Sequence, residues 1–221
     1  MTDMHDLAST EPMHELSEID ALRADIYRLL ATYLLASPDR ESLVWLAELQ
    51  PVDDGSPLFP CWSALIDAAG KASPEQLERA HFQHLVGVIQ GDVIPYASWY
   101  RNGTLMDEAL VTLRQDLRYL GFQRQENHND PEDHLAALCE VMAMLIESNS
   151  VPQADFFMRH LAPWATMCFS DLANVETPFY ARLGELGRTF MELETDRLSA
   201  QAGHEPVRLT MTSADMQQTK C

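Results

Sequence analysis

Cysteine is scarce and scattered. Cys61, Cys139, Cys168 and Cys221 form no C-x-x-C pair and join no histidine at metal-ligand spacing. That argues against a zinc module and a disulfide scaffold, and for reduced thiols in a reducing compartment. Basic residues are also few: 15 Lys and Arg stand against 34 Asp and Glu, a formal net charge of −19. A field of that sign repels phosphate backbones, so no nucleic-acid partner is expected, and it attracts basic peptides. Solubility alone would account for such acidity, and charge by itself favours that reading. Glycine-rich phosphate cradles, a G-x-S-x-G elbow and an H-E-x-x-H motif are missing, which leaves no signature of a nucleotide enzyme, a serine hydrolase or a zinc protease. No run approaches the ~20 apolar residues that a spanning helix needs. The first twenty residues carry six acids and no Lys or Arg precedes Arg23, the reverse of a secretory leader. The expectation is a cytoplasmic protein with no stable membrane insertion.

What is present is helical period. Hydrophobic residues make up 46% of 221 and charged residues 22%, enough for a sizeable core. Residues 1–16 read as an acidic disordered arm and 203–221 as a polar disordered tail. The first helix is expected over 18–36, with Ser17 as cap and Leu22, Ile26, Leu29, Leu30 and Tyr33 at helical spacing. Others are expected over 40–49, 61–69, 74–86 (Ser73 as cap, Pro74 at the first position) and 105–120. Residues 86–106 between them read as a loop. A helix opened by Asp130-Pro131-Glu132 follows, then one over 152–170 interrupted by Pro163, and one over 178–200. The chain should therefore be an all-α bundle of roughly eight to ten helices. It divides into an N-terminal helical half (17–121), a hinge or linker (122–131) and a C-terminal helical half (132–202).

Two clusters of residues could carry function. Asp130, Glu132, Asp133 and His134 bring three carboxylates and an imidazole to a helix start. Acids are favoured there by the helix dipole, so a purely structural role is the stronger reading from physics, and no nucleophile lies near to make the pair a base. Pro95, Tyr96, Ser98, Trp99 and Tyr100 put three aromatics in one short segment. These either pack on the core or wall a groove for an apolar peptide. His81 and His84 fall three apart, too few ligands for a metal site.

These segments resemble the TorD/DmsD/NarJ-type family of redox-enzyme maturation chaperones, from about residue 22 to 196. The resemblance rests on IPYASWYRNGTLM (94–106), VTLRQDLRYLGF (111–122), NDPEDHLAALCEVMAML (129–145) and the stretch 154–194 with His160, Leu161 and Trp164. The family's aspartate–histidine pair falls on Asp133 and His134, and its proline–aromatic loop on Pro95, Tyr96, Ser98, Trp99 and Tyr100. Where the family has a Phe–Gly–Pro–Gly-like stretch, this chain reads LVGVIQGDV (85–93).

The resemblance implies a chaperone, not an enzyme. It would bind the twin-arginine signal peptide or apo form of a molybdoenzyme and delay export until cofactor insertion. Its partner would be a catalytic subunit of the dimethyl-sulfoxide reductase, trimethylamine-oxide reductase or formate dehydrogenase type. The implied binding region is Pro95, Tyr96, Ser98, Trp99 and Tyr100 with Glu132, Asp133 and His134. No stably bound cofactor is implied, only weak contact with a guanine nucleotide or the molybdenum–guanine dinucleotide. The chaperone would be a monomer or homodimer. A NarJ-like assembly factor that recognises a core segment is the alternative, and a guanine-nucleotide hydrolase a more distant one.

Overall fold

The computed structural model of the chain describes residues 16–87, 91–106, 108–123 and 131–202. The acidic arm except Leu16, the polar tail, Asp130 and the linker over 124–130 lie outside the described residues.

Among these residues there are ten α-helices: α1 (Glu18–Leu35), α2 (Arg40–Glu48), α3 (Leu58–Lys71), α4 (Pro74–His81), α5 (Ala97–Asn102), α6 (Glu108–Tyr119), α7 (Leu135–Glu147), α8 (Gln153–His160), α9 (Ala165–Ala173) and α10 (Pro178–Ala202). A π-helical turn, Phe82–Val86, prolongs α4. The caps explain several starts. Ser17, Asp39 and Ser73 each accept a backbone N–H three residues on, at 3.1, 2.8 and 3.3 Å. Pro163 divides the 152–170 segment into α8 and α9, as its missing N–H requires.

Three expectations need correction. α3 begins at Leu58, three residues earlier than expected; Pro60 falls in the first turn, where no N–H would be bonded anyway. The 86–106 segment is not loop throughout, since it contains the π-helical turn's last residue and the six residues of α5, which ends on Gly103 at φ 73°. α7 does not start at Pro131 but at Leu135, with His134 as its cap. The reason is that the backbone before it is used elsewhere. The Asp133 carbonyl accepts from Ala97 N–H at 3.0 Å and Leu135 N–H donates to the Pro95 carbonyl at 2.7 Å. These bonds make an isolated antiparallel bridge between Tyr96 and His134.

α7 is the central helix. Its buried residues, from Leu135 through Ile146, cover most of its circumference, leaving only the narrow stripe of Ala137, Glu140, Met144 and Glu147 toward solvent. α1 lies along α7, and α10 packs on α9, α3 and α8. Helices from both ends of the sequence thus share one core. On α10, Gly184 and Gly187 let α9 approach closely: a Cβ at Gly184 would lie 2.3 Å from Ala173 N. Arg23 of α1 is buried and donates to both carboxylate oxygens of buried Glu194 on α10, each at 2.7 Å. Tyr27 adds a third bond to Glu194 at 3.0 Å.

Candidate functional site

The bridge brings the two candidate segments together. Asp133 sits at its end, wholly buried. Its Oδ2 accepts from the Ser98 backbone N–H at 3.0 Å and from the Ser98 hydroxyl at 2.6 Å. Its Oδ1 is also buried and has no hydrogen-bond partner among the described residues. An open oxygen on a buried carboxylate is costly, and is the kind of group a cationic donor would satisfy. Ser98 Oγ accepts in turn from Met106 N–H at 3.3 Å, folding the 103–106 turn back over α5. Met106 has φ 60°, a left-handed conformation that a non-glycine residue adopts only when held there.

His134 faces the other way along the bridge. Its Nδ1 accepts from Ala136 N–H at 3.1 Å, capping α7. The ring stands edge-on to Tyr96, with centroids 4.9 Å apart.

Glu132 lies beside Asp133 but turns to α6. It accepts from Arg114 Nε and Nη2 at 3.0 and 2.8 Å. That bond raises the Arg114 guanidinium further above its ordinary value. Arg114, Glu132, Leu117, Arg118 and Phe122 border a surface hollow of about 510 Å3.

The three aromatics separate. Tyr100 turns inward, stacks on buried Trp164 at 5.6 Å and donates to Asp171 Oδ2 at 2.6 Å. Burial, with Cys168 and Asp171 near, pushes its phenol far above the ordinary range, so it remains a donor. Trp99 is 37% exposed, and Leu105 and Met106 are exposed too, the latter held by its N–H to Ser98, the residue before Trp99. Of the eight residues singled out from the sequence, Pro95, Tyr96, Ser98, Asp133 and His134 meet at the bridge. Trp99 is at its surface, Tyr100 is half-buried against the core, and Glu132 is engaged by Arg114. Sequence reasoning missed Arg114, Leu105 and Met106. Exposed apolar residues after a helix-ending glycine were the available signal for the last two; nothing local pointed to Arg114.

The other polar residues are tied into the fold. His81 Nε2 lies 3.3 Å from the Leu34 carbonyl. His84 is buried between Asp92 Oδ2 at 2.7 Å and Thr177 Oγ1 at 2.8 Å. His160 meets Asp116 Oδ2 at 2.7 Å, and Trp164 Nε1 donates to the His160 carbonyl at 2.6 Å. Among the described residues no group of three or more His, Cys, Asp or Glu could hold a metal ion, and no helix is long and apolar enough to cross a membrane.

The comparisons with known proteins agree in kind. The chain is 29% identical over 170 residues to the Tat proofreading chaperone DmsD of Salmonella typhi, spanning 73% of this chain and 83% of that one. It is 30% identical over 104 residues to the chaperone protein TorD of Actinobacillus succinogenes, 45% of this chain and 54% of that one, so it spans about half of that relative's length. In fold it resembles a redox enzyme maturation protein from Archaeoglobus fulgidus, with a TM-score of 0.53 at 16% identity, covering 82% of this chain and 99% of that one. The nitrate reductase delta subunit family matches residues 56–170, more than half of the sequence and the whole of the bridge between Tyr96 and His134. The chain therefore belongs to the nitrate reductase delta subunit family, the TorD/NarJ group that its motifs resemble.

Proposed function

We propose that this chain is a cytoplasmic chaperone in the maturation of a molybdoenzyme, which it holds in its apo form by the twin-arginine leader until the cofactor is inserted. Two of its relatives are named as chaperones, one of them a Tat proofreading chaperone. The observation that carries the site is the buried Asp133 carboxylate, with one oxygen fixed by Ser98 and the other open, next to the exposed apolar surface of Trp99, Leu105 and Met106.

A leader has a basic head and an apolar middle. A guanidinium would exchange with Arg114 for Glu132 and, with the bridge loosened, reach Asp133 Oδ1 in a charge-assisted bond. The apolar stretch would lie on Trp99, Leu105 and Met106 as a helix on a groove. The protein's net charge of −19 draws such a peptide in. A guanine nucleotide, or the dinucleotide end of the client's cofactor, would be a weak ligand. Arg114 is taken by Glu132, and Gly91 lies against the His84 carbonyl, with 2.5 Å left for a Cβ, so it opens no phosphate cradle. The client would be a catalytic subunit of the dimethyl-sulfoxide reductase, trimethylamine-oxide reductase or formate dehydrogenase type.

Titration calorimetry with a synthetic twin-arginine leader tests this. Asp133→Asn and Trp99→Ala should each weaken binding about tenfold or more, the scale of a lost hot spot. Unchanged affinity in both would remove the site. The family's description favours one second reading, an assembly factor for a nitrate-reductase-like complex that grips a core segment. It predicts capture of a leaderless apo-enzyme with no affinity for the isolated leader.

A further inference from the structure

A second apolar surface shares no residue with the Asp133 site. It is a groove of about 470 Å3 between α1, α2 and α3. Leu22, Ile26 and Leu29 of α1 form one wall, at the spacing that puts them on one face. Trp45 of α2 and Leu49, at its C-cap, line the groove with Trp62 and Ile66 of α3. Leu22 and Trp45 are 56% and 53% exposed, and Val52 at the mouth is 82% exposed. Ile26 forms the floor, Leu29, Leu49, Trp62 and Ile66 are half-buried along it, and Leu22, Trp45 and Val52 stand open to water, a recognition surface in composition.

The charges at the groove have one sign. Among the described residues Asp25 and Asp54 border it and no Lys or Arg does. Arg28, one turn from Asp25, is drawn to Glu147 of α7 by both carboxylate oxygens. This selects the occupant. The chain's own first sixteen residues carry Asp3, Asp6, Glu11 and Glu15 and no Lys or Arg, so the groove repels them. A second copy brings its own −19 against the same carboxylates. An apolar segment with basic flanks meets both the wall and the rim.

We propose that the α1–α2–α3 groove docks an apolar, Lys/Arg-flanked segment of the client polypeptide, as a second hold separate from the leader site. The proposal rests on the chaperone reading for the existence of a client. Two linked holds raise the effective concentration of each, so neither need be tight.

The probe is a fluorescent peptide, Lys-Lys-Leu-Ala-Leu-Ala-Leu-Lys-Lys, with a Glu-flanked counterpart, titrated by anisotropy against the full chain. Leu22→Glu and Trp45→Glu should each weaken the Lys-flanked peptide by about tenfold. Both positions are exposed, so the melting curve should not move. Asp25→Lys should weaken it about threefold, and the Glu-flanked peptide should bind about tenfold less well. Trp99→Ala should leave it within about twofold. Affinity unaffected by Leu22→Glu and Trp45→Glu overturns the proposal. So does loss on Trp99→Ala alone, which would return the peptide to the leader site and leave the chaperone reading intact. A gain of about tenfold on deleting residues 1–15 would name the arm as occupant, and a dimer made monomeric by Trp45→Glu would name a second copy; either overturns it. Failure of Asp133→Asn and Trp99→Ala to affect leader binding would sink the leader site alone and leave these outcomes as they are.

Discussion

Asp133 has a structural task before any functional one. Its Oδ2 is the acceptor for both the backbone N–H and the hydroxyl of Ser98, and Ser98 holds the Met106 turn. Asp133→Ala would leave two buried donors without an acceptor, and should cost about 1–3 kcal/mol in urea denaturation. Asp133→Asn keeps an amide oxygen for one of them and should cost clearly less. Equal losses in the two variants would mean that charge, and not the bond to Ser98, is what the site needs for stability. The Asp133–His134 pair was legible in the sequence because it is two adjacent residues in a motif. Its partner was singled out as well, but the bond between them was not readable. Ser98 is 35 residues away, and side-chain pairing over that distance has no periodic signature. Tyr100 shows the opposite error of scale. Grouped with Trp99 by sequence, it turns into the core against Trp164, because neighbours on a short helix point in different directions.

Helix starts were readable at Ser17, Asp39 and Ser73, where a Ser or Asp side chain makes the cap. The start of α7 was not, because a tertiary bridge consumes the backbone groups that Asp130-Pro131-Glu132 would have organised. α5 was hidden for a different reason. Six residues among glycine, proline and aromatics are too few to show a helical period. The contact of α9 with α10 depends on one atom's width. Gly184→Ala would set a methyl 2.3 Å from the backbone of Ala173, and Gly187→Ala one 2.4 Å from the Phe169 ring. Backbone cannot step aside as a ring can, so Gly184→Ala should be the worse, by an overpacking cost of about 1–3 kcal/mol. Thermal melts should register it at about 2–4 °C for each kcal/mol. A melt unchanged in Gly184→Ala would mean that α9 can slide along α10.

At the scale of the molecule, the all-α class and the acidity were legible from period and composition. Which helix lies on which was not, since α1 on α7 and α3 on α10 are long-range choices. The packing also sets the response to acid. Burial lowers His160 and His81 below their ordinary value of 6.5, although His160 rests on Asp116 and its neighbours Arg159 and Arg101 act in the same direction as burial. A group lowered in the folded state takes up protons first in the unfolded state. Its contribution is whole above about pH 6.5 and is lost as pH falls from there. Asp116, held below its ordinary 3.8 by His160 and Arg159 despite burial, adds a second loss at lower pH. Denaturation midpoints should therefore fall between about pH 7.5 and 5.5, with a shallower slope in His160→Gln. A flat profile in the native chain would show that neither histidine is buried uncharged. The pairing of Arg23 with Glu194 has a consequence in time. Their separation of 171 residues is most of the polypeptide, and ribosomes add about 5–20 residues each second. Arg23 emerges many seconds before the carboxylate that permits it to leave water. The first helix must wait for α10, so α1 settles against it only after residue 194 has been made.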